Sequence, residues 1–341
     1  MPISRSNKPL VCITTGDPAG IGPEVTLKAL SKRSIRRLAH FIVVSDAQVL
    51  KAASRILGIP TDLTEARHGI YRKETAGGKS RIFCLDLGNV KREGFAYGKE
   101  KAEYGRASVE YLHAARILLE KRIADCVVTA PINKSSTRKS GFPYPGQTEY
   151  FASFASKKIG YAMMLEGAPL RVSLVTRHIP IKDVPQKLSV KRIKDTIRVT
   201  LESLRTDFGI KKPSVAVLAL NPHSGEGGII GKEELTKISP ALKEFPPTRV
   251  TGPIPADAAF YSAFKGEFDC LVCMYHDQAL IPLKMIARDK GVNITCGLRI
   301  IRTSPDHGTA FEIAGKNKAD SGSMEEAIAA AVRIFYNRKG S

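Results

Sequence analysis

A chain of 341 residues is long enough for two domains, each with its own core. With 43% hydrophobic and 25% charged residues it reads as a globular protein, and the absence of any apolar run near the roughly 20 residues of a membrane span excludes a helical membrane protein and suggests a cytoplasmic one. The formal charge of +20, from 53 Lys and Arg against 33 Asp and Glu, is scattered apart from Lys32–Arg37 and is not interleaved with aromatics, so a nucleic-acid partner is not expected; the excess suits steering of an anionic small molecule.

Short apolar runs alternate with longer helical patterns along the chain. LVCITT (10–15) precedes PEVTLKALSK, and HFIVVSD (40–46) precedes AQVLKAASRIL. RASVEYLHAARILLEK (106–121) has helical periodicity and leads into ADCVVTAPINK. RVSLVTRH (171–178) precedes VKRIKDTIRVTLESLRTDF; SVAVLALNPH (214–223) and DCLVCMYH (269–276) read as further strands, and MEEAIAAAVRIFYNR (324–338) as a last helix. Strands alternating with helices of ten or more residues predict an α/β fold with a mainly parallel sheet. Cys270 and Cys273 form a C-x-x-C pair, but in a strand-like run rather than at the start of a helix, so buried structural thiols are expected there.

Many of these strands end in polar or Gly/Pro-rich turns that carry reactive residue types, the edge where open α/β sheets bind ligands. In Thr15-Gly16-Asp17-Pro18-Ala19-Gly20-Ile21-Gly22-Pro23-Glu24, glycines allow a tight strand-to-helix turn, Pro23 suits the first helical position and Glu24 complements the helix dipole. His178, His223 and His276 each stand at or just past the end of a strand-like run, and neutral imidazoles suit zinc and similar divalent ions. His40, His68 and His113 lack that context and read as structural. Gly146-Gln147-Thr148 reads as a loop with uncharged hydrogen-bonding groups. Lys284, Asn293 and Arg302 are the donor types that a phosphate or carboxylate requires. The stretch Ser304–Lys316 reads as a functional loop around Gly308, with Phe311 to Ile313 beginning a helix.

Together, TGDPAGIGPEV, TAPINK, LNPHSGEGG, GPIPADAAF, YHDQALIPLK and PDHGTAFEIAGK resemble the 4-hydroxythreonine-4-phosphate dehydrogenase family over nearly the whole chain. The first and last of these stretches are also similar to loops of isopropylmalate and isocitrate dehydrogenases. The resemblance implies that two-domain fold, with an interdomain active-site cleft and no Rossmann fingerprint. The expected domains are 1–135 plus 283–341 for the dinucleotide and 136–282 for metal, substrate and dimerisation. It further implies one divalent metal (zinc, or magnesium or cobalt) on His178, His223 and His276, and a homodimer whose interface carries the active site. Substrate contacts are implied for Gln147, Thr148, Lys284, Asn293 and Arg302. Dinucleotide contacts, to NAD with NADP as the variant, are implied for Asp306, Gly308, Thr309 and Ala310. Asp257 or Asp277 is expected to take the hydroxyl proton or to orient a ligand. The implied reaction is oxidation of 4-hydroxythreonine 4-phosphate in vitamin B6 synthesis. Gln147 stands where the family pattern has histidine, which leaves 4-phosphorylated threonate or erythronate as the alternative substrate. A phosphate acyltransferase of the same broad fold is a further alternative, one with no use for three metal-competent histidines.

Overall fold

The computed structural model describes residues 8–60, 64–65, 82–91 and 93–340. His68, one of the histidines read as structural, lies outside the described residues. The chain divides into two compact units, residues 1–155 with 300–335 and residues 156–299 with 336–341. The sequence suggested divisions after 135 and 282 instead. In chain order the first unit builds β1 (Leu10–Thr14), α1 (Gly22–Ser31), a short α2 (Arg33–Arg36), β2 (His40–Ser45), α3 (Ala47–Leu57), β3 (Thr64–Glu65), β4 (Ile82–Asp86), α4 (Ala102–Glu120), β5 (Cys126–Thr129), α5 (Lys134–Lys139) and α6 (Gln147–Ala155). The second unit follows with β6 (Ala162–Gly167), β7 (Leu170–Leu174), α7 (Val184–Lys187), α8 (Val190–Thr206), β8 (Val215–Leu218), α9 (Ser239–Leu242), β9 (Val250–Ile254), α10 (Ala256–Phe264), β10 (Cys270–Cys273), α11 (His276–Ala287) and β11 (Val292–Cys296). The chain then returns to the first unit with β12 (Ile301–Pro305) and the start of α12 (Gly322–Gly340).

The first unit's strands run β3-β4-β2-β1-β5-β12, every pair parallel. Every residue of β1, β2 and β5 is buried, which is why these runs are apolar throughout rather than alternating. The chain leaves β1 toward β2 on one side and later places β5 on the other, so the strand order reverses between β1 and β5. That reversal opens a crevice at their carboxyl ends. The second unit's strands run β11-β6-β7-β10-β8-β9. Here β6 pairs antiparallel with both β11 and β7, whereas β7, β10, β8 and β9 are parallel. Its core gathers Leu170, Val172, Leu174, Leu271, Ala279 and Leu283 between the sheet and helices α10 and α11. Each such side chain contributes about 1.5–3 kcal/mol on burial.

Two helix assignments differ from the sequence reading. Gln147 opens α6, where a loop was expected: Tyr150 N–H donates to the Gly146 carbonyl, and the buried Tyr150 packs against Phe142, Tyr144 and the buried Phe151. These aromatics pack α6 within the first unit. The helix expected from Phe311 does not continue. Ile313 and Ala314 make one turn onto the Ala310 carbonyl, after which Gly315 and Asn317 adopt positive φ and α12 begins only at Gly322. The N–H groups of Gly315 and Asn317, which would otherwise extend the helix, are taken by the buried carboxylate of Glu24.

All six cysteines are buried and free. Cys270 and Cys273 sit in one strand, and three residues of extended chain separate their Cα atoms by about 10 Å, too far for a disulfide.

Helices α4 and α5 approach so closely that a Cβ at Gly105 would lie 2.0 Å from the Ser136 carbonyl oxygen. Gly→Ala inside a helix normally gains about 1 kcal/mol. Here the clash should reverse the sign, and Gly105→Ala should cost about 1–3 kcal/mol in urea unfolding; a stabilised variant would show that the α4–α5 contact yields freely.

Candidate active site

The turn after β1 and the turn after β5 meet at the strand-order reversal of the first unit. Ala130 N–H donates to the Thr14 carbonyl at 2.9 Å and Asp17 N–H to the Pro131 carbonyl at 2.9 Å. The Asp17 carboxylate is fully buried: one oxygen accepts the Ala19 N–H at 2.9 Å, a backbone N–H of Asn133 also supports it, and its Oδ2 has no hydrogen-bond partner. Burial pushes its pKa up to about 6 against those two N–H groups, with Glu100 adding repulsion.

Beside this turn lie three of the residues singled out for the substrate. Arg302, the second residue of β12, pairs in register with Val127 of β5, which aims its buried guanidinium along the strand toward Thr129. Nε and Nη2 donate to the Thr129 hydroxyl at 3.2 and 2.8 Å, and Nη1 donates to the Thr148 hydroxyl at 3.1 Å. Burial brings the Arg302 pKa down to about 10, partly offset by the charge of Glu149. Gln147 Nε2 donates to the Ala130 carbonyl at 2.9 Å, leaving its buried Oε1 without a hydrogen-bond partner. A buried acceptor without a donor costs about 1–3 kcal/mol, so sites of this kind are retained where a ligand supplies the donor.

The stretch expected to hold the dinucleotide packs against the β1 turn in the same unit. Ile21 N–H donates to the Thr309 carbonyl at 3.0 Å, and a Cβ on Gly20 would touch Thr309. Gly98 N–H donates to the Ala19 carbonyl at 2.8 Å, joining a third segment to this wall. Asp306 N–H is held by the Ser323 hydroxyl at 2.9 Å; Ala310 takes a positive φ of 43°, and the space where a Gly308 Cβ would stand is open.

The second unit carries the histidines. β7 and β10 pair in parallel with Leu174 opposite Cys273, so the residues just beyond these strands emerge side by side. His178 and His276 accordingly stand with ring centroids 5.3 Å apart, in a cavity of about 270 Å³ that Arg177, Pro180, Tyr275 and Asp277 also line. Asp277 Oδ1 lies 2.6 Å from His276 Nδ1, which fixes the tautomer and leaves Nε2 as the outward nitrogen. His223 follows β8 in a turn where His223, Ser224, Gly225, Glu226 and Gly227 all have left-handed backbone. Three of these carry side chains, each at a cost of about 1–2 kcal/mol. The buried Glu234 anchors this turn by accepting the N–H groups of Leu220 and Asn221 and the Asn221 amide, each at 2.8 Å. Glu226 Oε1 lies 2.6 Å from His223 Nδ1 and raises its pKa, with a smaller contribution from Asp257 in the first turn of α10.

The expected three-imidazole cluster is therefore met only in part within one chain. His178 and His276 are together, but among the described residues no group of three His, Cys, Asp or Glu stands close enough to hold a metal ion. Lys284 is exposed on α11, and Asn293 lies in β11 with its buried Oδ1 lacking a hydrogen-bond partner. Sequence reasoning passed over Glu234, Glu24 as a loop anchor, and Asp17 as a buried acid. Glu24 and Glu234 act through backbone N–H groups more than ten residues away, and Asp17 through those of Ala19 and the distant Asn133, which local spacing does not reveal.

The folded chain holds the Asp17 proton more tightly than the unfolded chain, so the cost of its charge is absent below the unfolded pKa and grows as pH rises through about 6. Asp17→Asn removes that cost. Its urea midpoint should gain on the parent's as pH rises from about 4 to about 7, by an increment of about 1–3 kcal/mol; a difference that does not change with pH would mean the charge is accommodated freely.

Comparison with known proteins identifies the family and the fold. The family model described as pyridoxal phosphate biosynthetic protein PdxA matches residues 37–331. The 4-hydroxythreonine-4-phosphate dehydrogenase of Desulfosudis oleivorans is 42% identical, with 95% of this chain and 96% of that one covered. The D-threonate 4-phosphate dehydrogenase of Cupriavidus necator is 40% identical, over 97% and 98%. The crystal structure of the 4-hydroxythreonine-4-phosphate dehydrogenase of Klebsiella pneumoniae superposes with a TM-score of 0.83 at 36% identity, covering 97% and 99%. An isocitrate dehydrogenase from Methylococcus capsulatus, at TM-score 0.50 and 14% identity over 97% of this chain and 86% of that one, shares the fold alone. The α/β architecture with its mainly parallel strands is thus the isocitrate dehydrogenase-like one, and the chain belongs to the PdxA family of pyridoxal phosphate biosynthetic proteins.

Proposed function

We propose that the protein is a nicotinamide-dependent dehydrogenase that oxidises the C3 hydroxyl of 4-hydroxythreonine 4-phosphate to 2-amino-3-oxo-4-phosphooxybutanoate. That β-keto acid loses carbon dioxide to give 3-amino-2-oxopropyl phosphate. The observation that carries this reading is the buried guanidinium of Arg302, oriented by the neutral hydroxyls of Thr129 and Thr148 beside the unsatisfied oxygen of Gln147. A desolvated cation with its fork fixed by hydroxyls is a receptor for a phosphate or carboxylate, and the adjacent acceptor suits the substrate's ammonium or hydroxyl. Binding energy from that anionic end orients the carbon to be oxidised.

His178, His223 and His276 are the residues that would hold a divalent metal, and their chemistry fits one. His223 and His276 each have Nδ1 engaged by a carboxylate, so the remaining nitrogen is the one available to a cation. When bound, the metal (zinc, magnesium or cobalt) supplies Lewis acidity toward the substrate hydroxyl, and the dinucleotide, NAD with NADP as the variant, supplies the two-electron acceptor. Asp277 is engaged with His276 and serves to orient that ring. Asp257, whose charge reaches His223, would receive the hydroxyl proton. Lys284 and Asn293 add donors and an acceptor to the substrate, and Asp306, Gly308, Thr309 and Ala310 form the backbone wall for the dinucleotide.

A homodimer completes the site in this reading. The second unit exposes Ile229 and Ile230 directly after the His223 turn, Tyr261 and Phe264 one turn apart on α10, and Ile281 and Met285 one turn apart on α11. Apolar side chains grouped in this way suit a second copy of the chain, whose His223 would approach the His178–His276 pair.

A second reading, oxidation of 4-phosphorylated threonate or erythronate, is favoured by Gln147, a neutral amide that accepts from a hydroxyl as readily as from an ammonium. A panel of the hydroxythreonine, threonate and erythronate phosphates, followed by the near-ultraviolet absorbance of reduced nicotinamide with and without zinc, separates the two. The expected result is highest kcat/KM on hydroxythreonine phosphate; preference for threonate phosphate would transfer the assignment, and no turnover of any member would end it.

Arg302→Lys keeps the charge but not the fork. It should raise KM by about tenfold or more while kcat changes less, and an unchanged KM would remove Arg302 from the site. His276→Ala should lower bound metal, measured by elemental analysis of the purified protein, together with activity; full metal content in the variant would refute the assignment.

A further inference from the structure

Helix α3 carries a cavity lined by none of the residues assigned to the proposed reaction. Gln48, Lys51, Ala52 and Arg55 follow one another at three- and four-residue spacing and so share a face of that helix. With Val49 and Phe95 they line about 320 Å³ of space, within the range of small-molecule sites. Lys51 and Arg55 are exposed, and the side chains of Gln48, Lys51 and Arg55 make no hydrogen bond or ion pair with any described residue. No carboxylate stands among the described residues that line the cavity. Two cations one helical turn apart, without a partner among the described residues and with an amide beside them, are the donor set for a phosphoryl group.

The remaining wall is aromatic. Phe95 is held by edge contacts to Tyr97 and Tyr104, with ring centroids at 5.0 and 5.7 Å. Tyr97 in turn covers Gly315, where an added Cβ would lie 2.7 Å from the Tyr97 ring. A short aromatic row within the first unit therefore joins this cavity to the 306–316 stretch. A rigid ring facing a basic helix face recognises a flat base that bears a phosphate.

We infer that the α3 cavity binds a nucleoside phosphate, its phosphoryl group between Lys51 and Arg55 and its base against Phe95. Two sources share this chemistry: the adenosine phosphate end of the dinucleotide, which rests on the proposed activity, and a separate mononucleotide, which does not.

Isothermal titration of the full-length protein with 2′-AMP, 5′-AMP and inorganic phosphate tests the inference without any turnover. An adenosine monophosphate should bind more tightly than inorganic phosphate, and the charge reversal Lys51→Glu/Arg55→Glu should weaken it by about tenfold or more. Those two side chains are exposed and make no hydrogen bond or ion pair with any described residue, so the double variant should keep the parent's circular dichroism and melting temperature. Phe95→Ala should weaken the nucleotide and leave inorganic phosphate unchanged. Equal nucleotide affinity in the double variant, or inorganic phosphate bound as tightly as the nucleotides, would overturn the inference. Repeating the titration on protein saturated with NAD assigns the source: loss of the nucleotide signal makes the cavity part of the dinucleotide site, and persistence makes it a separate one. Loss of substrate oxidation in some other variant would leave these titrations unchanged, so the two readings fail separately.

Discussion

Parallel pairing places the carboxyl ends of neighbouring strands on the same edge, and the chemistry of this chain depends on that constraint. In the first unit the β1 and β5 turns meet through Asp17 and Pro131, while β12 delivers Arg302 to Thr129 in register. In the second unit the pairing of Leu174 with Cys273 brings His178 and His276 together from segments nearly a hundred residues apart. Two remote imidazoles become neighbours because two backbone ladders end at the same height. Shifting either strand by one residue would exchange its faces and scatter the pair.

Strain and unsatisfied polarity accompany these strands and turns. Asp17 Oδ2, Gln147 Oε1 and Asn293 Oδ1 are buried without a hydrogen-bond partner, and the His223 turn runs left-handed through three residues that carry side chains. Each such group opposes folding by about 1–3 kcal/mol and persists only where the surroundings over-determine it. The surroundings here can be named. Glu234 fastens the start of the His223 turn, Glu24 fastens the loop after Ala310, and edge-on aromatics seat the helix that begins at Gln147. Rigid anchors next to unsatisfied groups describe a site whose shape is set before any ligand arrives.

Much of this was readable in the linear chain, and the boundary has a physical basis. Fully buried parallel strands appear as uninterrupted apolar runs, so β1, β2, β5, β8 and β10 stood out, and the histidines just past strand ends followed from them. Arg302 in RIIRTS carried no local sign of burial; its donor chemistry and its resemblance to a family position pointed to it. Strands β6 and β11 were missed because their antiparallel pairing breaks the strand–helix alternation that guided the reading. The stretch PGQTE looks like a turn, and only the packing of Tyr150 and Phe151 makes it a helix. The stretch after Phe311 looks helical, and only a glutamate nearly three hundred residues earlier stops it.

The six thiols have one further consequence. Burial holds Cys12, Cys270, Cys273 and Cys296 well above the ordinary thiol range, and Cys84 and Cys126 are enclosed as well. Oxidants and alkylating agents attack the thiolate at an accessible surface, and the native fold offers them none. Its chemistry therefore runs independently of the thiol redox balance of its surroundings, and the appearance of a reactive sulfur would report that the sheet itself had opened.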